Sequence, residues 1–382
     1  MNTLETRKTM SDRKFKHAML REIYEQPDAL ARTLEQYVAD GRIQMKALTD
    51  AAECFRKHKD LIIAASGSSR HAGLAAEIML EDAAGLSVDV EYASEYITRS
   101  TNTKRDPAVL VISQSGETAD TLAALREAKQ RNHPTLAVTN VENSSMASEA
   151  DLYLPTHAGV ERAIPATKSF TAQLLVLRLL SLEAADARGT IDAKEMERQL
   201  AELWEIPPMI ERQLDGWREL TERLAARYSS AKTLLYLGRG IHYAIAREGA
   251  LKLKESSYMH AEGYPAGELK HGPNALVSDE VPIVALGTVD WQDAESVLRY
   301  EKTVALLTDL KAQGARTIVL GNTGDSKLRE VSSDLIEIEP ANEYLLPITE
   351  VVPLQLFAYY MAVENGVDVD RPRNLVKAVV EE

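Results

Sequence analysis

Leu61-Ile62-Ile63-Ala64-Ala65-Ser66-Gly67 and Leu234-Leu235-Tyr236-Leu237-Gly238 decide the fold. Each is a short apolar run that ends in small residues and leads into a helical pattern, over residues 72–82 in one case and 244–255 in the other. Setting Gly67 against Gly238, an offset of 171, places His71 on His242, Ala75 on Ala246 and Glu77 on Glu248. Further along, Thr135-Leu136-Ala137-Val138-Thr139-Asn140 matches Thr317-Ile318-Val319-Leu320-Gly321-Asn322 at an offset of 182, and Ala150-Asp151-Leu152 matches Ser333-Asp334-Leu335. The chain is therefore a duplication, with eleven extra residues between the two landmarks of its second copy. A repeat of this length governs the whole fold assignment.

Within each half, short β-branched runs alternate with helical spacing. The predicted strands are 61–65, 109–112, 135–138 and 152–154, then 234–237, 282–286, 317–320 and 335–338, with helices such as 119–130 and 297–313 between them. Near-continuous apolar strands joined by helices indicate parallel sheets covered on both faces. Each half is expected to be an α/β sandwich. The expected organisation is an N-terminal extension and helix over 1–45, a first domain over 46–190, a helical connector over 191–220, a second domain over 221–366 and a tail over 367–382. Residues 211–230 are charged and helical in pattern and join the halves.

The 382 residues, 45% hydrophobic and 27% charged with 19 Gly and 14 Pro, exclude global disorder, collagen and low-complexity arrays. A net charge of −14 repels nucleic acid and anionic lipid, so neither is an expected partner, and an anionic ligand needs a local pocket. The single cysteine, Cys54, closes no intramolecular disulfide and supplies no cysteine-rich zinc site. Residues 1–16 do not read as a secretory signal, and even the run 174–182 is broken by Arg178, so no run reaches the ~18 apolar residues of a membrane span. The expectation is a soluble cytoplasmic protein in a reducing compartment.

In open α/β sheets ligands bind beyond the carboxyl ends of the strands. The loop there after the second strand is Ser113-Gln114-Ser115-Gly116-Glu117-Thr118, with three hydroxyls, a glycine and the start of a helix, all suited to a phosphate. Ser66-Gly67-Ser68-Ser69 has the same character. Read singly, either loop is equally consistent with simple helix capping; two such loops on successive strands favour anion binding. Neither a P-loop nor a dinucleotide fingerprint is present. In the second half Glu248, Lys252 and Glu255 share one helix face, a pattern that a solvated ion-pair stripe would also produce. His271 follows in Gly267-Glu268-Leu269-Lys270-His271-Gly272-Pro273, and Lys377 closes Arg373-Asn374-Leu375-Val376-Lys377 near the C-terminus. A loop histidine or a tail lysine is by itself compatible with a structural or solvated role.

Together the motifs around Ser113, Glu248, His271 and Lys377 resemble those of the tandem sugar isomerase (SIS) family, and within it the isomerase part of the glucosamine-6-phosphate synthases, over residues 17–382. The segment Arg21-Glu22-Ile23-Tyr24-Glu25-Gln26-Pro27 resembles the stretch that follows the glutaminase domain in that family. The resemblance implies two flavodoxin-like three-layer α/β/α SIS domains. It implies that Ser113, Gln114, Ser115 and Thr118, with Ser69, hold a sugar phosphate, and that Gly67, Ser68 and Ala166 border the substrate. Glu255 would move a proton between C1 and C2, a task suited to a carboxylate whose pKa is raised by burial. His271 would assist ring opening from the neighbouring subunit of a homodimer. Lys377 would form a Schiff base with the C2 carbonyl, for which its amine must be neutral. Lys252 and Glu248 would tune and hydrogen-bond the open-chain intermediate. No metal and no organic cofactor is expected. The chain departs from the family at Ile164-Pro165-Ala166-Thr167-Lys168, where Val-Ala-Ser-Thr-Lys is common, and at Arg70-His71, where aromatics are frequent.

Only a sixteen-residue stub precedes the likeness, so the expected activity is an isomerase using free ammonia: deamination of glucosamine 6-phosphate to fructose 6-phosphate, or its reversal. The alternatives are a fructosamine-6-phosphate deglycase, the isomerase subunit of a synthase with a separate ammonia-supplying glutaminase partner, and a non-catalytic sugar-phosphate sensor.

Overall fold

The computed structural model describes residues 13–99 and 105–380. The first half begins with helices α1 (Ala18–Tyr24) and α2 (Gln26–Tyr37), a small hairpin of β1 (Val38–Ala39) and β2 (Arg42–Ile43), and α3 (Lys46–Lys57). Its sheet units follow as β3 (Asp60–Ala65), α4 (Gly67–Ala84), β4 (Ser87–Tyr92), α5 (Ala93–Thr98), β5 (Ala108–Ser113), α6 (Ala119–Gln130), β6 (Thr135–Thr139), α7 (Ser145–Glu149), β7 (Leu152–Pro155) and α8 (Lys168–Arg188). The long α9 (Ala193–Tyr228) leads to the second half: β8 (Thr233–Gly238), α10 (His242–Ser257), β9 (His260–Pro265), β10 (Ile283–Leu286), α11 (Ala294–Ala312), β11 (Thr317–Asn322), α12 (Ser326–Val331), β12 (Asp334–Ile338) and α13 (Leu346–Glu364).

Two five-stranded sheets result, ordered β4-β3-β5-β6-β7 and β9-β8-β10-β11-β12. Every pair within them is parallel, with Ile63 between Val90 and Leu110 in the first and Leu235 between Glu262 and Ile283 in the second. The strand order is that of a flavodoxin-like doubly wound sheet, and it repeats as the duplication requires. The central strands are those read from sequence. The edge strands β4 and β9 were missed because they are not apolar runs: Ser87, Asp89 and Tyr92 of β4 and His260 of β9 are exposed, as suits an edge with one face uncovered.

Three further findings adjust the sequence reading. The connector of 191–220, from Ala193 onward, and the start of the second domain at 221 lie on one continuous helix, α9, which runs through Pro207 and Pro208. The solvated alternative for Glu248 and Lys252 fails, since both are fully buried. Finally, α13 is long and apolar enough to cross a membrane, a length the sequence reading assigned to no segment, yet 94% of that window is buried inside the protein. It is a core helix whose polar residues have partners: Gln355 Oε1 accepts from Gln26 Nε2 at 2.9 Å, and Glu350 meets His242 Nδ1 at 2.8 Å. Helices α4 and α8 pack against each other on the first sheet as α10 and α13 do on the second, and α4 also touches α10. That last contact joins the halves and positions the site.

Candidate active site

β5 ends in Ser113, and the six residues from there to α6 close on themselves. Ser113 Oγ lies 2.9 Å from Thr118 Oγ1 and accepts the Gly116 N–H at 3.1 Å, while Ser115 Oγ accepts the Glu117 N–H at 3.1 Å. Gly116 makes this turn possible. Its φ is +68°, and a Cβ there would stand 2.1 Å from Ser144 Oγ, so only glycine fits. The loop thus gathers three hydroxyls at the N-terminus of a twelve-residue helix, where N–H groups without partners inside the helix favour an anion. One of those groups, the Ala119 N–H, donates to the carbonyl of Val379 at 2.9 Å. The C-terminal tail therefore reaches the end of the hydroxyl loop. Gln114 contributes through its carbonyl, which accepts from Asn140 N at 3.2 Å. In the companion loop Gly67 opens α4 and Ser68 is half-buried, but the Ser69 hydroxyl is buried and turned toward α8, accepting from Gln173 Nε2 at 3.1 Å.

The Glu248–Lys252–Glu255 stripe sits on α10. Lys252 Nζ donates to Glu255 through a short hydrogen bond and stands 3.6 Å from Glu248 Oε1. Burial works against the Lys252 ammonium, but Glu255 and Glu248 outweigh it and its pKa is raised. Glu248 in turn faces the other half, with its Oε2 2.8 Å from His71 Nδ1. His71 was not among the residues expected to act, although its match to His242 across the duplication was a signal. Glu255, whose side chain keeps 22% exposure, is the member of the stripe that solvent or a ligand can reach.

Lys377 completes the arrangement. Its Nζ donates to Glu161 Oε2 at 2.6 Å and to the Ala163 carbonyl at 2.7 Å. Glu161 is buried and also receives Thr167 N at 2.9 Å, Ser169 N at 3.1 Å and Ser169 Oγ at 2.7 Å. Burial pushes its carboxyl up, yet Lys377 and these donors prevail and hold it below the usual range. Glu161 also adds, after Glu255 and Glu248, to the charge that favours the Lys252 ammonium. Behind them Glu22 of α1, fully buried, accepts Arg162 N at 2.6 Å and Ala163 N at 3.2 Å, and burial raises its carboxyl to about 7. Ala166 is half-buried in the loop these contacts shape. Sequence reasoning missed Glu161 and Glu22, since a glutamate beside Val160 and Arg162 reads as a solvated loop residue.

The structure thus brings together Glu248, Lys252 and Glu255 with His71, Ser113, Ser115 and Thr118 with the tail, and Lys377 with Glu161. It does not bring His271 to them. That residue ends a short 3-10 turn, Glu268–His271, is exposed, and no hydrogen bond or ion pair among the described residues joins it to the stripe. No cluster of three or more His, Cys, Asp or Glu suited to a metal occurs among the described residues.

Comparison with known proteins agrees with this architecture. The SIS domain family matches residues 54–182 and 227–365. The glutamine–fructose-6-phosphate aminotransferase (isomerizing) of Chlorobaculum tepidum is 40% identical over 370 residues, covering 96% of this chain and 59% of that protein. The chain therefore spans about three-fifths of the length of that curated relative. The solved C-terminal domain of glucosamine-fructose-6-phosphate aminotransferase from Francisella tularensis is 36% identical with a TM-score of 0.86, over 95% of this chain and all of that one. The glucosamine-6-phosphate deaminase of Thermotoga maritima, 22% identical with a TM-score of 0.70 over 95% of this chain and 99% of that one, shares the fold. With a family match in each half and each match enclosing one of the two parallel sheets, the chain belongs to the SIS domain family, in tandem arrangement.

Proposed function

We propose that this chain is an isomerase unit of the glucosamine-6-phosphate synthase type, interconverting fructose 6-phosphate plus ammonia with glucosamine 6-phosphate, the ammonia arriving free or from a separate glutaminase subunit. The observation that carries the reading is the tail, whose Lys377 sits on buried Glu161 while its Val379 carbonyl bonds the first turn behind the hydroxyl loop; α10 adds buried Glu248 and Lys252 with the accessible Glu255.

The phosphate would sit on Ser113, Ser115 and Thr118 at the start of α6, anchoring the sugar so that the reacting carbons face α10. With the ring opened, the Lys377 amine adds to the C2 carbonyl and water leaves. Ammonia then displaces the lysine, giving the C2 imine of the sugar. Glu255 takes a proton from C1 and returns one to C2, which converts the ketose imine into the 2-amino aldose; deamination is the same path reversed. Lys252, held between two carboxylates, remains an ammonium and steadies the negative charge that develops at the oxygen on C1. His71 fixes the Glu248 carboxylate on the far side. His271 is exposed and makes no bond to this chain's own stripe among the described residues, which suits a residue given to a neighbouring subunit of a homodimer.

Lys377 must leave Glu161 and lose a proton before it can attack, so substrate binding has to break that ion pair. The test is direct: incubate the protein with fructose 6-phosphate and ammonium salt, then with glucosamine 6-phosphate, and assay glucosamine 6-phosphate, fructose 6-phosphate and ammonia. Turnover is expected in both directions, and inertness in both would overturn the proposal.

A further inference from the structure

The second half contains a cleft that this reaction leaves unused. It has a volume of about 680 Å³ and lies between α9 and the segments that follow β10 and β12. The cleft opens beyond the carboxyl ends of β10 and β12, the side of an open parallel sheet on which ligands bind, and the volume is that of a small-molecule site, roughly 300–1,000 Å³. The loop after β10 stands where the hydroxyl loop stands in the first half, since β5 and β10 hold the same place in the two strand orders. Its chemistry has changed completely, to Gly287-Thr288-Val289-Asp290-Trp291.

The cleft is rigidly built. The Asn322 side chain accepts Val289 N at 3.0 Å and donates to its carbonyl at 2.7 Å, Ser296 Oγ accepts Asp290 N at 2.9 Å, and Asp290 Oδ2 accepts Glu343 N at 3.3 Å. At its edge Trp291 is 57% exposed, held edge-on against Tyr300 with ring centroids 5.0 Å apart. A tryptophan braced from behind and open in front is a ready stacking surface for the CH face of a ring. Ile206 and Met209 of α9 add apolar wall.

Charge decides what the surface can take. The two guanidiniums of the lining are already engaged, Arg198 by Glu195 and Glu202, and Arg212 by Glu339. Glu205 and Asp290 add carboxylates with no ion pair among the described residues. Burial lifts the Glu202 carboxyl; Arg198 pulls it down, while Glu195 and Asp290 push it further up. A phosphate would be repelled from such a cleft and a cation drawn in. The amides of Gln199, Gln292 and Asn342 line it as well and can meet hydroxyls.

We propose that this cleft is a second ligand site, for a small hydroxylated primary amine that stacks on Trp291 and places its ammonium against Glu202 and Asp290. The inference does not rest on the reaction proposed above. Isothermal titration calorimetry with glucosamine as the probe tests it, alongside glucose and N-acetylglucosamine, which lack the ammonium. Saturable binding of glucosamine is expected, with both neutral sugars at least about tenfold weaker, the scale of one charge-assisted contact. Trp291→Leu and Glu202→Gln, both at part-exposed positions, are expected to weaken glucosamine by a similar factor while keeping the thermal midpoint, and Lys377→Ala is expected to bind it as the unmodified chain does. Failure of glucosamine to saturate, equal binding of glucose, or unchanged titration of both cleft variants would overturn the site. Loss of binding in Lys377→Ala would move it to the first half and overturn it equally.

Discussion

Glu161 in the first half and Glu343 in the second are 182 positions apart, the offset that aligns their neighbouring strands, and both are buried. Each holds a cation, but from different sources. Glu161 holds Lys377, which comes from the C-terminal tail and keeps 27% side-chain exposure. Glu343 holds Arg299 at 2.8 Å and His242 at 3.3 Å, with Ser296 donating to it as well. Burial would raise the Glu343 carboxyl, but His242 and these partners hold it down to about 2. The duplication has kept the buried carboxylate and changed its partner from a removable one to a fixed one. The same scaffold position is a docking point in one half and a structural tie in the other.

The largest effect is expected at the chemistry next to the removable cation. Glu255→Gln should retain sugar-phosphate binding and slow C1–C2 proton exchange with solvent by about a thousandfold, the usual scale for a general base; isotope exchange monitored by NMR measures it, and exchange at the original rate would remove Glu255 from the role. Lys377→Ala should abolish borohydride trapping of fructose 6-phosphate on the chain.

Next comes the comparison itself. Glu343→Gln takes one of two carboxylates from the buried His242 imidazolium and the nearest one from Arg299, and should cost about 4 kcal/mol, whereas Glu161→Gln should cost about 2, because Lys377 can turn to water when its carboxylate is lost. Urea titrations of the two variants check this, and equal costs would break the distinction between fixed and removable cations. Gly116→Ala should cost about 2 kcal/mol through its left-handed backbone and the contact with Ser144, and should weaken phosphate affinity at the same time.

The smallest effect is on pH dependence. Glu22 has a folded pKa of about 7 against an ordinary 4.5, so the folded protein binds more protons between those values and stability falls as pH rises through that window. His242 is also raised: burial lowers it, but Glu350 and Glu343 lift it to about 10, so the stability it contributes is complete below 6.5 and lost as pH rises through 10. The two groups thus withdraw their contributions in successive windows. Glu22→Gln should flatten the first decline by at least about 1 kcal/mol while leaving the second, as denaturation midpoints across the pH range will show.

How much of this could be read from the chain follows from sequence distance. The central strands were legible because Val109, Leu110, Val111 and Ile112 are buried on both faces of their sheet. The edge strands β4 and β9 were not, because partial exposure leaves polar residues among the apolar ones that read as loop, whereas the opposite edges β7 and β12 keep short apolar runs. The hydroxyl loop was legible because Ser113, Ser115 and Thr118 are local neighbours that bond one another. Glu161 and His71 were not, since their partners lie 216 and 177 positions away. Only the fold reveals a burial that turns an ordinary loop glutamate into an anchor.

The contact between Val379 and Ala119 has a mechanical side. Val379 is two residues beyond Lys377, and two residues of chain span at most about 7 Å. The tail therefore grips the body of the chain at two points on one short tether, one at the first turn of α6 and one at a buried carboxylate. Neither grip can travel far without the other, so a displacement at the helix end is transmitted to the ammonium as tension along the backbone.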